Sequence, residues 1–400
     1  MFLNREKSDF AENHYYKLNQ IFLAAISLWP YQQSKFIIIS HIFHFIIMGS
    51  FVFFQLTSFL TFQFTLDLFV MVLSNAVPSC LYIVQYYSFC IQSNTIKRFW
   101  KDIRDSWNLL KNETERNIMR QQSFFGELCT ILLSLSISIS IILYAFIELL
   151  PTILDLICPL NETRPRELHA LAEYFIDKQT YFYPILCHWL ICLAFGGFVF
   201  MATGTFEMVY IDNVCGLFKI ASYRIECSIK KYASYSSVQK KDYEAQRNII
   251  AAVAIHTRAL ECSEFFSKSF TSYFFVLIVI GVSSTSLNLF RLLRAIISHN
   301  MFEFIASILF IAFHFIFLFL GNYYGQKITD CNNEVFNSVY NVQWYKTSVK
   351  IQKCLLFIMQ NTTIPYVINI GNLVWASVEG FAKVERELTH DTCETIIKSS

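Results

Sequence analysis

The sequence predicts an all-α membrane protein with seven transmembrane helices. Of its 400 residues, 54% are hydrophobic and only 16% are charged, whereas a soluble domain usually carries about 25% charged residues. Uncharged runs of about 20 residues, the length that crosses a bilayer as a helix, recur along the chain. The chain has only 11 Gly and 7 Pro, which favours long helices with short connections over many strands.

Seven apolar runs define the predicted spans. The first six are uninterrupted, whereas the seventh contains a polar stretch at 360–365. A shorter apolar segment, Ile21 to Trp29, precedes them and is interpreted as an interfacial segment because it is too short to span. The seven runs are Phe36 to Leu60, Leu68 to Ser93, Leu128 to Ile147, Gln179 to Phe206, Ser269 to Phe290, Phe304 to Gln326 and Cys354 to Val378.

The distribution of Lys and Arg predicts the orientation. With these spans, 24 of the 32 basic residues fall on the side of the N-terminus. The positive-inside rule therefore predicts a cytoplasmic N-terminus and, with seven spans, an extracellular C-terminus. No cleavable signal peptide is recognised in the first 35 residues. The sequon at Asn161 then lies in an outer loop and is expected to be glycosylated, whereas the sequon at Asn112 lies inside and is expected to remain unmodified.

Composition and motifs argue against an enzyme. The sequence has no Ser/His/Asp order, phosphate-binding glycine loop or H-E-x-x-H helix, so we expect no catalytic residues and no cofactor. The net charge of +2 gives no support to a nucleic-acid partner. The isolated span histidines are interpreted as packed or hydrogen-bonded side chains and not as metal ligands. Glu148 and Glu207 lie near span ends, where they either face water or line an ion or substrate path.

Several strings resemble the insect odorant receptor family, particularly the receptors of ants and bees. The longest, CGLFKIASYRIE at 215–226, directly follows the fourth predicted span. Others are PLNETRP at 159–165 and EYFID at 173–177 before that span, HTRALE at 256–261 and LLFIMQ at 355–360. Their order and the topology agree with the family from about residue 13 to about residue 383, so the chain resembles a tuning receptor of this group.

The resemblance implies a function and partners. It implies an odorant receptor that forms the ligand-binding subunit of a heteromeric, odour-gated, non-selective cation channel. Its partners would be a small volatile odorant, the lipid bilayer and a shared odorant receptor co-receptor in a hetero-tetramer. Its location would be the plasma membrane of olfactory sensory neuron dendrites, as a multi-pass protein. A gustatory receptor of the same fold is the alternative. A G-protein-coupled receptor is less well supported, because its usual motifs and orientation are missing.

The resemblance also implies two sets of site residues. Odorants would bind among the second, third, fourth and sixth helices, where an aromatic, uncharged pocket suits volatile ligands. Residues of the cytoplasmic extensions would contact other subunits. The pocket candidates are Ile137, Ser140, Ile141, Tyr144, Tyr183, Leu186, Cys187, Leu190, Phe304 and Ile308. The interface candidates are Val339, Tyr340, Trp344 and Tyr345.

The whole chain, 1–400, is predicted to form one polytopic membrane domain. Its parts are a cytoplasmic arm at 1–35, helices one to six with their loops at 36–326, a cytoplasmic anchor segment at 327–353 and the last helix region at 354–384. A charged tail at 385–400 departs from the family pattern, in which the last helix continues as an apolar segment. The tail is either an alternative or misread end of the transcript or a true variant with an altered pore.

Overall fold

The computed structural model describes residues 15–32, 36–158, 164, 168, 171–234, 238–363, 369–370, 374–375, 377–380, 382–383 and 386. The described chain is almost entirely helical. Its α-helices are α1 (Lys17–Ala25), α2 (Phe36–Leu56), α3 (Ser58–Thr61), α4 (Leu66–Ile91), α5 (Ser93–Asn108), α6 (Glu113–Ile157), α7 (Phe182–Ser234), α8 (Val238–Ile297), α9 (Met301–Asn341) and α10 (Val349–Thr363). A 3₁₀ turn, Trp344–Lys346, precedes α10, and two short strands, β1 (Asn369–Ile370) and β2 (Val374–Trp375), follow it.

Six helical segments of the described chain are long and apolar enough to cross a membrane. They are Ile37–Thr61, Leu66–Ile91, Glu113–Ile157, Phe182–Tyr232, Lys241–Ile297 and Glu303–Asn341. Each contains most of one of the first six predicted runs, so these six spans are confirmed as helices. Many large apolar side chains on their surfaces are exposed, as expected of helices that contact lipid tails.

The helices continue well beyond the apolar runs. Helix α7 has 53 residues and α8 has 60, so each is about 80–90 Å long at 1.5 Å per residue. A bilayer core is only about 30 Å thick, and both helices therefore extend out of it. The predicted helical extensions are confirmed. They pack against each other and against α9 in one continuous hydrophobic core.

The two ends of the bundle differ, and we name them by what they hold. The proximal end holds α1 and α5, and the distal end holds the connection between α6 and α7. Helix α5 turns an apolar stripe towards the core, with Ile96, Phe99, Trp100 and Ile103 buried at helical spacing. Helix α1, the predicted interfacial segment, also packs here, and its Asn19 Nδ2 donates to Thr205 Oγ1 at 2.9 Å.

The seventh predicted run differs from the single helix that we expected. Helix α10 ends at Thr363 and is only about 22 Å long, shorter than a span. Strands β1 and β2 then pair in antiparallel register, with Asn369 opposite Trp375 and Ile370 opposite Val374. Pro365 follows α10 in the sequence, and a proline has no N–H to continue a helix.

Candidate ligand-binding site

A cavity of about 50 Å³ lies among the helices near the distal end. We call it the distal cavity. It is bordered by α2, α4, α6, α7, α8 and α9, so six separate helices converge on it. Most of the surface that lines it is aromatic or aliphatic. Its lining residues are Phe51, Gln55, Asn75, Pro78, Ser79, Tyr82, Tyr144, Trp189, Leu193, Arg291, Ala306 and Phe310.

The segment before α7 packs over the distal side of this region. The Glu173 backbone N–H donates to Phe54 O, and Thr57 Oγ1 donates to Glu173 O, both at 2.8 Å. The Tyr174 ring stacks on Phe54 with centroids 4.3 Å apart. Its hydroxyl hydrogen-bonds His188 Nδ1 at 2.8 Å. These contacts attach the segment to the end of α2 and to the first turns of α7.

One wall of the distal cavity is polar. Arg291, near the end of α8, is only 4% exposed. Its Nη1 donates to Asn75 Oδ1 at 3.4 Å, and its Nε lies 3.9 Å from the Glu303 carboxylate. Gln55, in the last turn of α2, is fully buried and lines the same cavity as Asn75 and Arg291. The cavity therefore combines aromatic walls with a small set of convergent polar groups, the usual character of a small-molecule site.

A second cavity, of about 100 Å³, lies between the middle parts of α6, α7, α8 and α9. We call it the central cavity. It is lined by apolar side chains such as Phe200, Phe274 and Phe317, and its polar lining residues are Thr205, Glu207, Asn322 and Tyr324. Asn322 Oδ1 accepts a hydrogen bond from the Ser377 backbone N–H at 3.2 Å. Its wall has fewer polar groups than the distal cavity, so we take the distal cavity as the candidate ligand site.

The structure places the ten pocket candidates in different surroundings. Tyr144 lines the distal cavity and Ile137 lines the central cavity. The other eight are not among the described residues that line either cavity. Leu186 is buried, Ile141, Leu190 and Phe304 are half-buried, and Ser140, Tyr183, Cys187 and Ile308 are exposed.

The distal cavity lies among the four helices that the resemblance named, but its lining residues come mostly from other faces of those helices. On α7 the cavity wall is formed by Trp189 and Leu193, and on α9 by Ala306 and Phe310. Helical periodicity identifies possible faces but not which one meets a neighbour. Gln55, Asn75 and Arg291 were also missed, although a signal was available, since each is a strongly polar residue in or beside an apolar run.

The four interface candidates divide into one buried residue and three exposed ones. Val339 is fully buried in the core between the helix extensions. Tyr340 is 64% exposed, Trp344 40% and Tyr345 61%. These three aromatic side chains form what we call the aromatic patch, at the end of α9 and in the 3₁₀ turn that follows.

Each of the four span histidines is hydrogen-bonded or packed against a ring, as predicted. His41 Nδ1 lies 2.7 Å from Tyr86 Oη, His188 Nε2 3.1 Å from Ser50 Oγ and His314 Nε2 2.9 Å from Ser284 Oγ. His44 stacks on the Tyr86 ring. The described residues contain no group of His, Cys, Asp and Glu that could hold a metal ion. Asn161, the predicted glycosylation site, lies outside the described residues.

Buried ion pairs join the helices at the proximal end. Arg224 holds Glu115 with two hydrogen bonds, Nε to Oε1 at 2.8 Å and Nη2 to Oε2 at 2.9 Å. Arg258 Nη2 donates to Asp102 Oδ1 at 2.5 Å. Burial raises the pKa of the Asp102 carboxyl, while the positive charge of Arg258 acts in the opposite direction. These pairs connect α5 to α8 and α6 to α7, and none of the four residues lines either cavity.

Comparisons with known proteins agree with this architecture. A segment of 94 residues is 30% identical to odorant receptor 94a of Drosophila melanogaster, and it spans 24% of each chain. The structure of the insect olfactory receptor OR5 from Machilis hrabei superposes with a TM-score of 0.76 at 14% identity, covering 97% of this chain and 99% of that one. The structure of the same receptor in complex with eugenol gives 0.77 at 15% identity, over 98% and 100%. The 7tm odorant receptor family model matches residues 65–386. Because this match includes most of the 400 residues, the chain belongs to the 7tm odorant receptor family.

Proposed function

We propose that this protein is the ligand-binding subunit of a heteromeric, odour-gated, non-selective cation channel, with an odorant receptor co-receptor as its partner. The observation that carries the proposal is the distal cavity, where six helices meet around a small and mostly apolar space. Ligand binding there can alter the packing of all six helices together, which is what a gate controlled by a ligand requires. Family membership and the fold shared with an olfactory receptor bound to eugenol support a small volatile ligand.

The proposal includes the orientation and the subunit contacts. The N-terminus lies in the cytoplasm and the protein resides in the plasma membrane of olfactory sensory neuron dendrites. The proximal end is then cytoplasmic, which agrees with its buried ion pairs and charged helix surfaces. The aromatic patch contacts a neighbouring subunit, since exposed aromatic side chains are enriched at protein interfaces. The segment 327–353 thus acts as the anchor within a single membrane domain.

The test is a whole-cell current measurement. Cells expressing this chain with an insect co-receptor are compared with cells expressing the co-receptor alone, during pulses of a broad volatile panel. We expect a cation current that requires both chains and an odorant. Surface labelling verifies delivery to the plasma membrane. Absence of any odour-evoked current, despite confirmed surface delivery of both chains, would count against the channel function.

A further inference from the structure

A buried amide in the wall of the distal cavity has no hydrogen-bond partner among the described residues. Gln55 is 0% exposed, and neither its Nε2 nor its Oε1 forms a hydrogen bond within that part of the chain. Buried polar groups in native proteins nearly always have partners, because an unpaired amide is costly in an apolar environment. Gln55 lines the cavity, so a molecule inside it can supply the missing partner.

A second donor lines the same cavity. Arg291 Nε is buried and forms no hydrogen bond within the described chain, although Glu303 is its ionic partner at 3.9 Å. Asn75 orients the guanidinium, since Asn75 Nδ2 donates to Met71 O at 3.2 Å and its Oδ1 accepts from Arg291 Nη1. The cavity thus presents N–H donors from two helices, α2 and α8. These two N–H donors favour a ligand that carries a hydrogen-bond acceptor.

The charges around the cavity disfavour an anion. The positive charge of Arg291 is already paired with Glu303. A further carboxylate, Glu148, is 1% exposed and lies one turn from Tyr144 on α6. A carboxylate ligand would add negative charge to a region where Glu303 and Glu148 already accompany Arg291. The electrostatic repulsion would cost more there than in water, because the groups are buried. A neutral acceptor avoids this cost.

We infer that the distal cavity selects a neutral volatile whose carbonyl oxygen, in a ketone, aldehyde or ester, accepts a hydrogen bond from Gln55 Nε2. The apolar chain of the ligand packs against Phe51, Trp189 and Phe310. Arg291 contributes a second donor. This inference rests on the proposed function, because it assigns a ligand class to the cavity proposed as the odorant site. The cavity has room for more than water, since about 50 Å³ is several times the ~10–15 Å³ that one water requires.

The experiment compares straight-chain ketones, alkanes and carboxylates of equal length, from four to nine carbons. Binding is measured as ligand-induced thermal stabilisation of the full chain with its co-receptor, and current is recorded in parallel. In the wild type we expect the best ketone to have a half-saturating concentration at least tenfold below that of its alkane. A tenfold change corresponds to about one hydrogen bond.

Three variants make the test specific. Gln55→Met keeps the side-chain length but removes the donor, so it is expected to abolish the ketone preference while alkane binding is retained. Gln85→Met is the matched control, because Gln85 is equally buried on α4 and does not line the distal cavity. It is expected to keep the preference. Glu303→Gln leaves Arg291 without its ionic partner and is expected to strengthen carboxylate binding about tenfold.

The outcomes separate this inference from the channel proposal. Ketone-selective stabilisation without odour-evoked current supports the inference and counts against the channel. An odour-evoked current without ketone-selective binding supports the channel proposal and counts against this inference. The inference is overturned if no ketone in the series binds better than its alkane, or if Gln55→Met binds ketones as the wild type does. Equal binding of ketones and carboxylates to the wild type also overturns it.

Discussion

At the scale of single residues, stability at the proximal end depends on charged groups that are buried in pairs. Glu115 is only 2% exposed on its side chain, and Arg224 also donates to the carbonyls of Leu109 and Ala251 at 3.1 and 3.0 Å. Replacing one member of such a pair leaves the other buried without a counter-charge. This cost is much larger than the loss of an exposed ion pair, which solvent screens.

Arg224→Ala is therefore expected to destabilise the protein by about 3–5 kcal/mol, because it leaves the Glu115 carboxylate buried and unpaired. The measurement is the melting temperature of the detergent-solubilised protein, followed by size-exclusion chromatography after heating. Lys230→Ala is the control, since Lys230 pairs with Glu226 at the surface. Equal melting temperatures for the two variants would show that the buried pair contributes little.

At the scale of elements, the contact between α4 and α7 shapes the distal cavity. Gly196 of α7 lies against Tyr82 of α4, and a Cβ at this position would lie 2.5 Å from the Tyr82 ring. Tyr82 also lines the cavity. The absence of a side chain at Gly196 therefore lets α7 approach α4 closely, and this close approach sets the position of the Tyr82 ring. No periodicity in the sequence distinguishes this glycine from the others.

Gly196→Ala is expected to displace the Tyr82 ring and thereby to change the order of ligand potencies, at a stability cost of about 1–3 kcal/mol from overpacking. Dose–response currents for a panel of volatiles of graded size are the measurement. Gly49→Ala is the matched control, because a Cβ there would meet no atom within 4 Å. An unchanged potency order in Gly196→Ala would mean that Tyr82 does not shape the ligand space.

The aromatic patch makes a second prediction at this scale. Replacing Tyr340, Trp344 and Tyr345 by Ala is expected to reduce co-purification with the co-receptor by tenfold or more, because large aromatic anchors dominate interface energies. The melting temperature of the isolated chain should change little, since these side chains are exposed. Tyr243→Ala, at another exposed position, is the control. Undiminished co-purification of the triple variant would place the interface elsewhere.

At the scale of the whole molecule, the orientation in the membrane decides which surfaces meet odorants and which meet the cytoplasm. Glycan transfer occurs only on the luminal side of the membrane, so the sequons at Asn161 and Asn112, which are predicted to lie on opposite sides, test the orientation. In the structure Asn112 caps α6, and its Oδ1 accepts from the Glu115 backbone N–H at 2.9 Å. A glycan there would compete with this cap.

We expect glycosylation at Asn161 and none at Asn112. The measurement is the electrophoretic mobility of the membrane-expressed protein before and after glycosidase treatment, for the wild type, Asn161→Gln and Asn112→Gln. Only Asn161→Gln should lose the mobility shift. A shift that depends on Asn112 would invert the topology and would place the distal cavity on the cytoplasmic side.

The sequence alone determined the fold class, because apolar runs of membrane-spanning length can be stable only as helices in lipid. It also identified six spans, the helical extensions and, through the resemblance, the family. The site was a different matter. Tyr144 is the one pocket candidate that lines the distal cavity among the described residues, whereas Gln55, Asn75 and Arg291 come from three helices and meet there only through packing. The break after Thr363 was signalled by the polar stretch at 360–365, yet the hairpin register was not. Local sequence fixes a helix and its possible faces, whereas the neighbour that each face meets depends on contacts between residues distant in the chain, which only the tertiary structure decides.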